Sequence, residues 1–202
     1  MLFVLFYIIL LMNYEIEIVK SEVTLIHQFQ HEQQKHRTLT TVLNTNNWTE
    51  VNSNTAWAKR RHHTCVVKND IIYIMGGIGA SLFNDVWYST DYGLTWLQST
   101  SDAGWSGRIF HTSVVHNNKL FIIGGYNETH HFNDVWSSSD GGVNWNEQIK
   151  HAEFSPRALH TSVIYDDKIY VLGGGYDGGS FNDIWSSDDD GVNWVEVVAS
   201  AG

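Results

Sequence analysis

The stretch FNDVWSSSDGGVNW at residues 132–145 decides the fold, because close copies of it occur twice more in this 202-residue chain. The copies are FNDVWYSTDYGLTW at 83–96 and FNDIWSSDDDGVNW at 181–194. A single copy could be interpreted as a site built around the Asp140 carboxylate. A sequence that recurs three times is first of all a unit of architecture.

Each copy belongs to a longer repeat that begins aromatic-x-x-Arg-x-x-His-Thr and passes through two apolar runs, the second closing on Gly-Gly. Two-residue polar turns that suit tight hairpins separate the runs: Asn69-Asp70, Asn117-Asn118 and Asp166-Asp167. The His lies 13 residues before the first Gly in every copy, and the repeat period is 49 residues. A period near 50 with four short strands is typical of a propeller blade. We therefore predict an all-β protein with blades at about 57–99, 105–148 and 154–198.

The repeat resembles the kelch repeat of the galactose oxidase/kelch-type superfamily, in which a Gly-Gly pair ends the second strand and a Trp follows about 21 residues later. A second resemblance is to the Asp-box of sialidase propellers, whose Ser-x-Asp-x-Gly-x-Thr-Trp pattern fits residues 89–96 and, with Asn for Thr, 138–145 and 187–194. In such a turn the aspartate accepts backbone hydrogen bonds, the glycine takes a positive φ and the Trp packs beneath the hairpin. A structural role is thus expected for Asp91, Gly93, Trp96, Asp140, Gly142, Trp145, Asp189, Gly191 and Trp194.

The number of blades predicts an incomplete propeller, since propellers close with about 4–8 blades. NNWTEV at 46–51 is predicted to be a lone fourth strand of a further blade. Either the sequence is a fragment, or two copies join end to end as a six-bladed ring. An open arc would expose apolar blade faces that favour self-association.

The first twelve residues, MLFVLFYIILLM, are too short for a membrane span but fit a secretory signal. We expect a signal peptide at 1–21, cleaved after Ser21, and a linker at 22–45. The protein is then secreted; if the apolar run is not a signal, a cytoplasmic location is the alternative. Asn127 is the better candidate for N-glycosylation, because Asn47 aligns with a position inside the Asp-containing turn.

Composition excludes several kinds of chemistry. A net charge of −10 argues against a nucleic-acid partner. Cys65 is the only cysteine, so it can form neither an internal disulfide nor a cysteine-based metal site, and we expect it to be buried in an apolar strand. No metal, cofactor or catalytic residue is predicted.

The other recurring residues are interpreted as structural first. The glycine pairs are expected to permit close packing of blades: Gly76, Gly77, Gly124, Gly125, Gly173 and Gly174. The Arg and His of each repeat are expected to link neighbouring blades, with the aspartate of Phe-Asn-Asp as a partner. A ligand-binding role for the arginines is the alternative.

The kelch resemblance implies binding on the face formed by the loops before the first strand and between strands two and three. There the aromatic-plus-arginine pairs could surround the channel mouth and hold a sugar, carboxylate or peptide; alternatively, the rings pack between blades. The pairs are Trp57 with Arg60, Trp105 with Arg108, and Phe154 with Arg157. The loops 78–83, 126–132 and 175–181 differ most between copies and add Tyr126, His130, Tyr176 and Asp177 as candidates. His130 and His131 are adjacent and point apart, which makes a poor metal pair.

The function predicted from these features is that of a non-catalytic module presenting loops to a protein or glycan. One alternative is a carbohydrate-active enzyme, sialidase-like, mutarotase-like or galactose-oxidase-like, with its catalytic residues in missing blades. Another is a structural or adhesive surface protein.

Overall fold

The computed structural model of the protein describes residues 48–199, which form only β-structure. Three four-stranded antiparallel sheets follow one another along the chain. The first comprises β1 (Thr64–Lys68), β2 (Ile71–Met75), β3 (Val86–Ser89) and β4 (Leu97–Thr100); the second comprises β5 (Thr112–His116), β6 (Lys119–Tyr126), β7 (His131–Ser138) and β8 (Asn146–Ile149). The third comprises β9 (Thr161–Tyr165), β10 (Lys168–Leu172), β13 (Ile184–Ser187) and β14 (Val195–Val198), and carries the small ribbon β11 (Gly175–Tyr176) and β12 (Gly179–Ser180). The predicted all-β fold of kelch-type blades is confirmed.

The predicted two-residue turns lie between the first and second strands of each blade. Both residues of every turn have positive φ, from 45° at Asn117 to 62° at Asp70. This conformation matches the twist of the flanking strands, and Asn and Asp tolerate it better than most side chains. The turns therefore fix the registers Lys68–Ile71, His116–Lys119 and Tyr165–Lys168.

Apolar side chains fill the space between successive blades. Tyr73 and Met75 of the first blade meet Leu120 and Ile122 of the second in one cluster. Phe121 and Ile123 point from the other face of the second blade towards the third in a second cluster. The middle blade is thus apolar on both faces, which explains why the sequence of its second strand, β6, is a continuous apolar run.

The Phe-Asn-Asp-x-Trp motif is the point where each blade is tied together. In the second blade, Arg108 donates two hydrogen bonds to the Asp134 carboxylate, at 2.6 and 2.8 Å, and a third to the carbonyl of Gly124. Its guanidinium lies over the Phe132 ring at 4.2 Å. The Asp134 carboxylate also accepts a hydrogen bond from the Trp136 indole N–H. Every residue of this copy of the motif except the β-branched one therefore has a fixed polar or aromatic partner. The first and third blades repeat the contacts among Arg, Asp and Trp.

The expectation that the Arg side chain links neighbouring blades is wrong. Arg60, Arg108 and Arg157 pair with Asp85, Asp134 and Asp183 of their own blades. The inter-blade link comes from the Arg carbonyl and from the histidine. Gly77 N–H donates to the Arg108 carbonyl at 2.9 Å, and His111 Nε2 lies 2.9 Å from the Thr64 hydroxyl.

In the first and second blades, the first glycine of the pair lies where the next blade approaches. A Cβ added at Gly76 would lie 2.8 Å from Cε1 of His111, and one at Gly124 would lie 3.0 Å from Cε1 of His160. The Phe-Asn-Asp-x-Trp motif also contacts the next blade. The Asn84 and Asn133 side chains donate hydrogen bonds to the carbonyls of Trp105 and Phe154, where the chain enters that blade.

Two further expectations are corrected. Cys65 lies in β1 as expected but is exposed. The alternating Val66 packs on the cluster shared with the second blade, so Cys65 points to the opposite, open face. Residues 48–51, the described part of the predicted lone strand 46–51, form no strand, and Trp48 is exposed. A strand needs a neighbouring strand for its backbone hydrogen bonds, and none of the described strands pairs with this segment. The predicted signal at 1–21, the linker at 22–45 and Asn47 lie outside the described residues.

We predict that Asp134→Ala lowers the free energy of unfolding by about 3–5 kcal/mol, because it leaves the buried Arg108 guanidinium without its counter-charge. Urea unfolding measures the change. The matched control is Asp188→Ala, which removes a carboxylate from the exposed pair with Lys168 and should cost less than about 1 kcal/mol. Equal losses in the two variants would contradict the central role of the Arg108–Asp134 pair.

We also predict that stability falls as the pH drops from 7 towards 5. Burial and the adjacent Arg side chains lower the pKa of His111 and of His160 to about 3, from 6.5. Between pH 3 and pH 6.5 each of these His side chains binds a proton in the unfolded state but not in the folded state. Each His therefore costs about 1.4 kcal/mol of stability per pH unit below 6.5. Urea unfolding between pH 5 and 6.5 should show a slope that decreases by about that amount in His160→Gln. An unchanged slope would contradict the assignment.

Candidate functional site

The entry segments and the loops between strands two and three meet at one side of the second and third blades. Two-way backbone hydrogen bonds of 2.9 Å join Ile109 to Tyr126 and Ala158 to Gly175. These bridges hold each entry segment against the start of the loop in its own blade. Between the two blades they leave an open cleft of about 710 Å³, lined by Phe110, Tyr126, His131, Leu159, Tyr176 and Asp177 among others.

Aromatic rings shape the cleft. The imidazole of His131 stacks on the Tyr126 ring at 4.5 Å, and Tyr176 stacks on Phe181 at 5.3 Å. The His131 Nε2 atom lies 4.0 Å from an oxygen of Asp177, whose side chain is largely exposed. A second hollow of about 520 Å³ shares His131 and Tyr176 with the first and adds Thr129, His130, Ser155 and Pro156. The two hollows therefore adjoin at His131 and Tyr176, and the Asp177 carboxylate lines the larger one.

An unusual backbone conformation recurs at the base of this face. His62, Phe110 and Leu159, each directly before the repeated histidine, have φ values of 58°, 57° and 59°. L-residues with bulky side chains rarely adopt positive φ, because Cβ then approaches the backbone closely. Such conformations are found where the surrounding structure holds them, commonly at functional sites.

These three side chains form a row across the blades. The rings of His62 and Phe110 lie 4.3 Å apart, and the Leu159 N–H donates to the Phe110 carbonyl at 3.0 Å. Leu159 is 70% exposed although it is aliphatic. The row therefore presents a different bulky side chain from each blade to solvent, on an otherwise repeated backbone.

The aromatic-plus-arginine candidates do not lie in the cleft. Trp105, Arg108, Phe154 and Arg157 are buried. The Trp105 ring meets Trp145 edge to face at 6.0 Å, and Phe154 meets Trp194 at 5.1 Å; Trp57 and Trp96 form the same pair, half-buried, in the first blade. Trp105 and Phe154 also belong to the apolar clusters shared with the preceding blade, which is the interpretation of rings packed between blades. Arg60 makes the same carboxylate contacts as its counterparts, so a ligand would have to replace Asp85 to reach it.

The loop candidates lie at the cleft. Tyr126, Tyr176 and Asp177 line the larger hollow, and His130 lines the smaller one. The Asn127 side chain accepts hydrogen bonds from Thr129 and His130 in the same loop. Glycosylation of Asn127 stays a prediction. Of the residues that line the cleft, Phe110 and Leu159 were not identified from the sequence; the available signal is that the two positions between the constant Arg and His vary from copy to copy.

The aspartate turns lie apart from the cleft. Asp140 accepts hydrogen bonds from the backbone N–H groups of Val143 and Asn144 and from the Ser138 hydroxyl. Partial burial opposes ionisation of Asp140, but the hydrogen bonds from Asn144 and Ser138 outweigh it and hold the pKa below its usual value. The Trp145 indole donates to the Gly142 carbonyl at 3.1 Å. Gly142 has a φ of 84°, and an added Cβ would lie 2.7 Å from Val86 of the preceding blade. This arrangement is the one that the hairpin-fastening interpretation requires, and Asp91 and Asp189 repeat it.

Among residues 48–199, no cluster of three or more His, Cys, Asp or Glu side chains could hold a metal ion. The same part of the chain contains no helix capable of crossing a membrane.

The sheets, their turns and the loop-face cleft together define a kelch-type propeller segment, a class of protein-interaction scaffold. The family model described as the KLHDC2/KLHL20/DRC7 Kelch-repeats domain matches residues 27–202, and the chain belongs to this family. No curated protein matches the chain. The family match does not bear on the Asp-box resemblance, which stays a prediction.

We predict that Leu159→Gly stabilises the protein by about 1 kcal/mol, because glycine adopts the observed φ of 59° without the cost of about 1–2 kcal/mol that an L side chain incurs. Urea unfolding measures the change. The control is Ala158→Gly at the adjacent buried position, where φ is not positive and glycine should destabilise. Destabilisation by both variants would show that Leu159 packs as a structural residue.

Proposed function

We propose that the cleft between the second and third blades binds an extended segment of a partner protein. The observation that carries the proposal is the pair of bulky, positive-φ residues that line the cleft, Phe110 and Leu159, with Leu159 largely exposed. A position that is both strained and exposed contributes nothing evident to the core. Membership of a kelch family, whose domains bind proteins, supports the same conclusion.

The proposed ligand has an apolar or aromatic side chain next to a lysine or arginine. Phe110, Leu159 and Tyr176 offer apolar surface for the first group. Asp177 offers an exposed carboxylate for the second, and the chain's net charge of −10 attracts cationic segments over longer distances. No observation favours a glycan ligand, an enzyme or an adhesive protein over this function, and secretion stays a prediction.

Selection from a random-peptide display library on the full chain tests the proposal. We expect enriched peptides to carry an aromatic or aliphatic residue beside a cation, and Tyr176→Ala to weaken their binding by about tenfold or more, as loss of a central aromatic contact commonly does. Asp177→Asn should weaken binding by a smaller factor that decreases with added salt.

The matched controls lie on the outer turns. Tyr92→Ala removes an exposed tyrosine, and Asp188→Asn removes an exposed carboxylate, both on outer turns that do not line the cleft. Each should leave peptide binding unchanged. Peptides whose binding is lost in the controls, or kept in both cleft variants, would place the binding surface elsewhere.

A further inference from the structure

The chain contains three Asp-Gly dipeptides, and the structure holds them very differently. They are Asp140-Gly141, Asp177-Gly178 and Asp190-Gly191. An aspartate isomerises most readily before glycine, because glycine has no side chain to shield its backbone nitrogen from the aspartate carboxyl group. In a folded chain the reaction depends on how firmly that carboxyl group and that nitrogen are held.

The Asp140 carboxylate is held by four hydrogen bonds within its own turn. The Ser138 hydroxyl, the Val143 N–H and two N–H groups of Asn144 donate to it, at 2.8–3.2 Å. The carboxyl group must break these contacts before it can meet the next backbone nitrogen.

The dipeptide Asp190-Gly191 is held at both reacting groups. Asn117 and Lys119 of the second blade donate to the Asp190 carboxylate at 2.9 and 2.8 Å. The Gly191 N–H donates to the Ser187 hydroxyl at 2.9 Å. Partial burial opposes ionisation of Asp190, but the hydrogen bonds from Lys119 and Asn117 outweigh it and hold the pKa below its usual value.

The dipeptide Asp177-Gly178 has no such restraint. Neither the Asp177 carboxylate nor the Gly178 N–H makes a hydrogen bond to any of residues 48–199. His131 Nε2 lies 4.0 Å from the carboxylate, beyond hydrogen-bonding distance. The Asp177 side chain is 87% exposed, so water reaches the carboxyl group freely.

The packing of Tyr176 keeps a glycine at position 178. A Cβ added at Gly178 would clash with the Tyr176 ring, lying 2.6 Å from its Cζ atom. The ring is itself stacked on Phe181 at 5.3 Å, and the Arg157 guanidinium lies over Phe181 at 4.3 Å. The reactive dipeptide is therefore required by the same packing that lines the cleft.

We propose that Asp177 is a site of spontaneous isomerisation to isoaspartate, and that this change disables the cleft. The Gly178 nitrogen attacks Cγ of the protonated Asp177 carboxyl group, so that an N–Cγ bond forms and the Cγ–OH bond breaks. The hydroxyl leaves as water with the proton of the nitrogen. A second water then opens the cyclic imide at the main-chain carbonyl, which breaks the original C–N bond and leaves the peptide bond on Cγ.

The product changes the lining of the cleft. The main chain gains one carbon atom in the two-residue turn between β11 and β12, where Tyr176 pairs with Gly179. This register no longer holds the Tyr176 ring on Phe181, and the carboxylate moves onto Cα, closer to the backbone. The ribbon lies outside the three four-stranded sheets, which stay intact. The loss of binding rests on the proposed function of the cleft; the isomerisation does not.

Peptide mapping of the full chain tests the site, with the other two dipeptides as internal controls. The folded chain is incubated in warm neutral buffer, digested and analysed by electron-transfer fragmentation, which cleaves the additional main-chain carbon–carbon bond of isoaspartate. We expect isoaspartate to form at Asp177 about tenfold faster or more than at Asp140 and Asp190, where hydrogen bonds to a charged group must first break. In urea the three rates should be similar. Equal rates in the folded chain, or the same differences in urea, would overturn the proposal.

Binding of the display-selected peptides tests the consequence. The incubated chain should lose binding in proportion to its isoaspartate content. An isoaspartate-specific carboxyl methyltransferase with S-adenosylmethionine, which returns isoaspartate to the imide, should restore part of it. Asp177→Glu is the matched control, because its imide needs a larger ring and forms far more slowly; this variant should keep its own initial affinity. Full binding by a chain with isoaspartate at position 177 would overturn the loss of function.

Hydrogen exchange separates this proposal from the function proposed for the cleft. In the incubated chain, the amides of residues 175–181 should exchange faster, while urea unfolding stays unchanged. If no peptide binds the fresh chain, the proposed function is wrong, but isoaspartate at Asp177 with faster exchange at 175–181 would still support the site and its effect on the lining. Unchanged exchange despite isoaspartate would overturn that effect.

Discussion

The buried guanidinium of each repeat is the constraint on which the rest of the structure depends. A charge removed from water is tolerated only when carboxylate and carbonyl oxygens replace its hydration. Arg108 therefore requires Asp134, and through it the position of Trp136, since both donate to the same carboxylate. Because the Arg108 carbonyl also accepts from Gly77 of the preceding blade, the same residue fixes the interior of one blade and its distance from another.

Much of the fold could be predicted from the sequence because its signals are local and repeated. The hairpin turns depend on residues that tolerate positive φ, and Asn and Asp at both turn positions are such a signal. The constant spacing from His to Gly-Gly reflects a physical contact within each blade, since a Cβ added at Gly77, Gly125 or Gly174 would lie 2.7–2.8 Å from the Cβ of the histidine of the same repeat. The Arg side chain was assigned to the wrong interface because the repeat places an Asp at equivalent positions in both candidate blades, and spacing alone does not distinguish them.

The errors share a different cause. The strand β5 meets other blades with both faces, so it shows no alternation between apolar and polar residues. The sequence of β1 follows the same pattern, so it does not indicate that the face with Cys65 and Val67 is exposed. The residues at the base of the cleft were missed because a bulky side chain gives no indication that its backbone will adopt positive φ. That conformation at Phe110 is imposed by hydrogen bonds on both sides, from Ile109 to Tyr126 and from Leu159 to Phe110. It is a property of the assembled blades rather than of the local sequence.

The polar contacts between successive blades have a fixed direction along the chain. At both interfaces the preceding blade offers a threonine and a glycine N–H and the following blade offers a histidine and an arginine carbonyl, so successive blades fit each other in one order only. The apolar contacts follow the same order, because the counterparts of Val67 and Val163 pack between blades inside the chain. The loops that form the cleft, by contrast, differ from blade to blade and make no contribution to this matching.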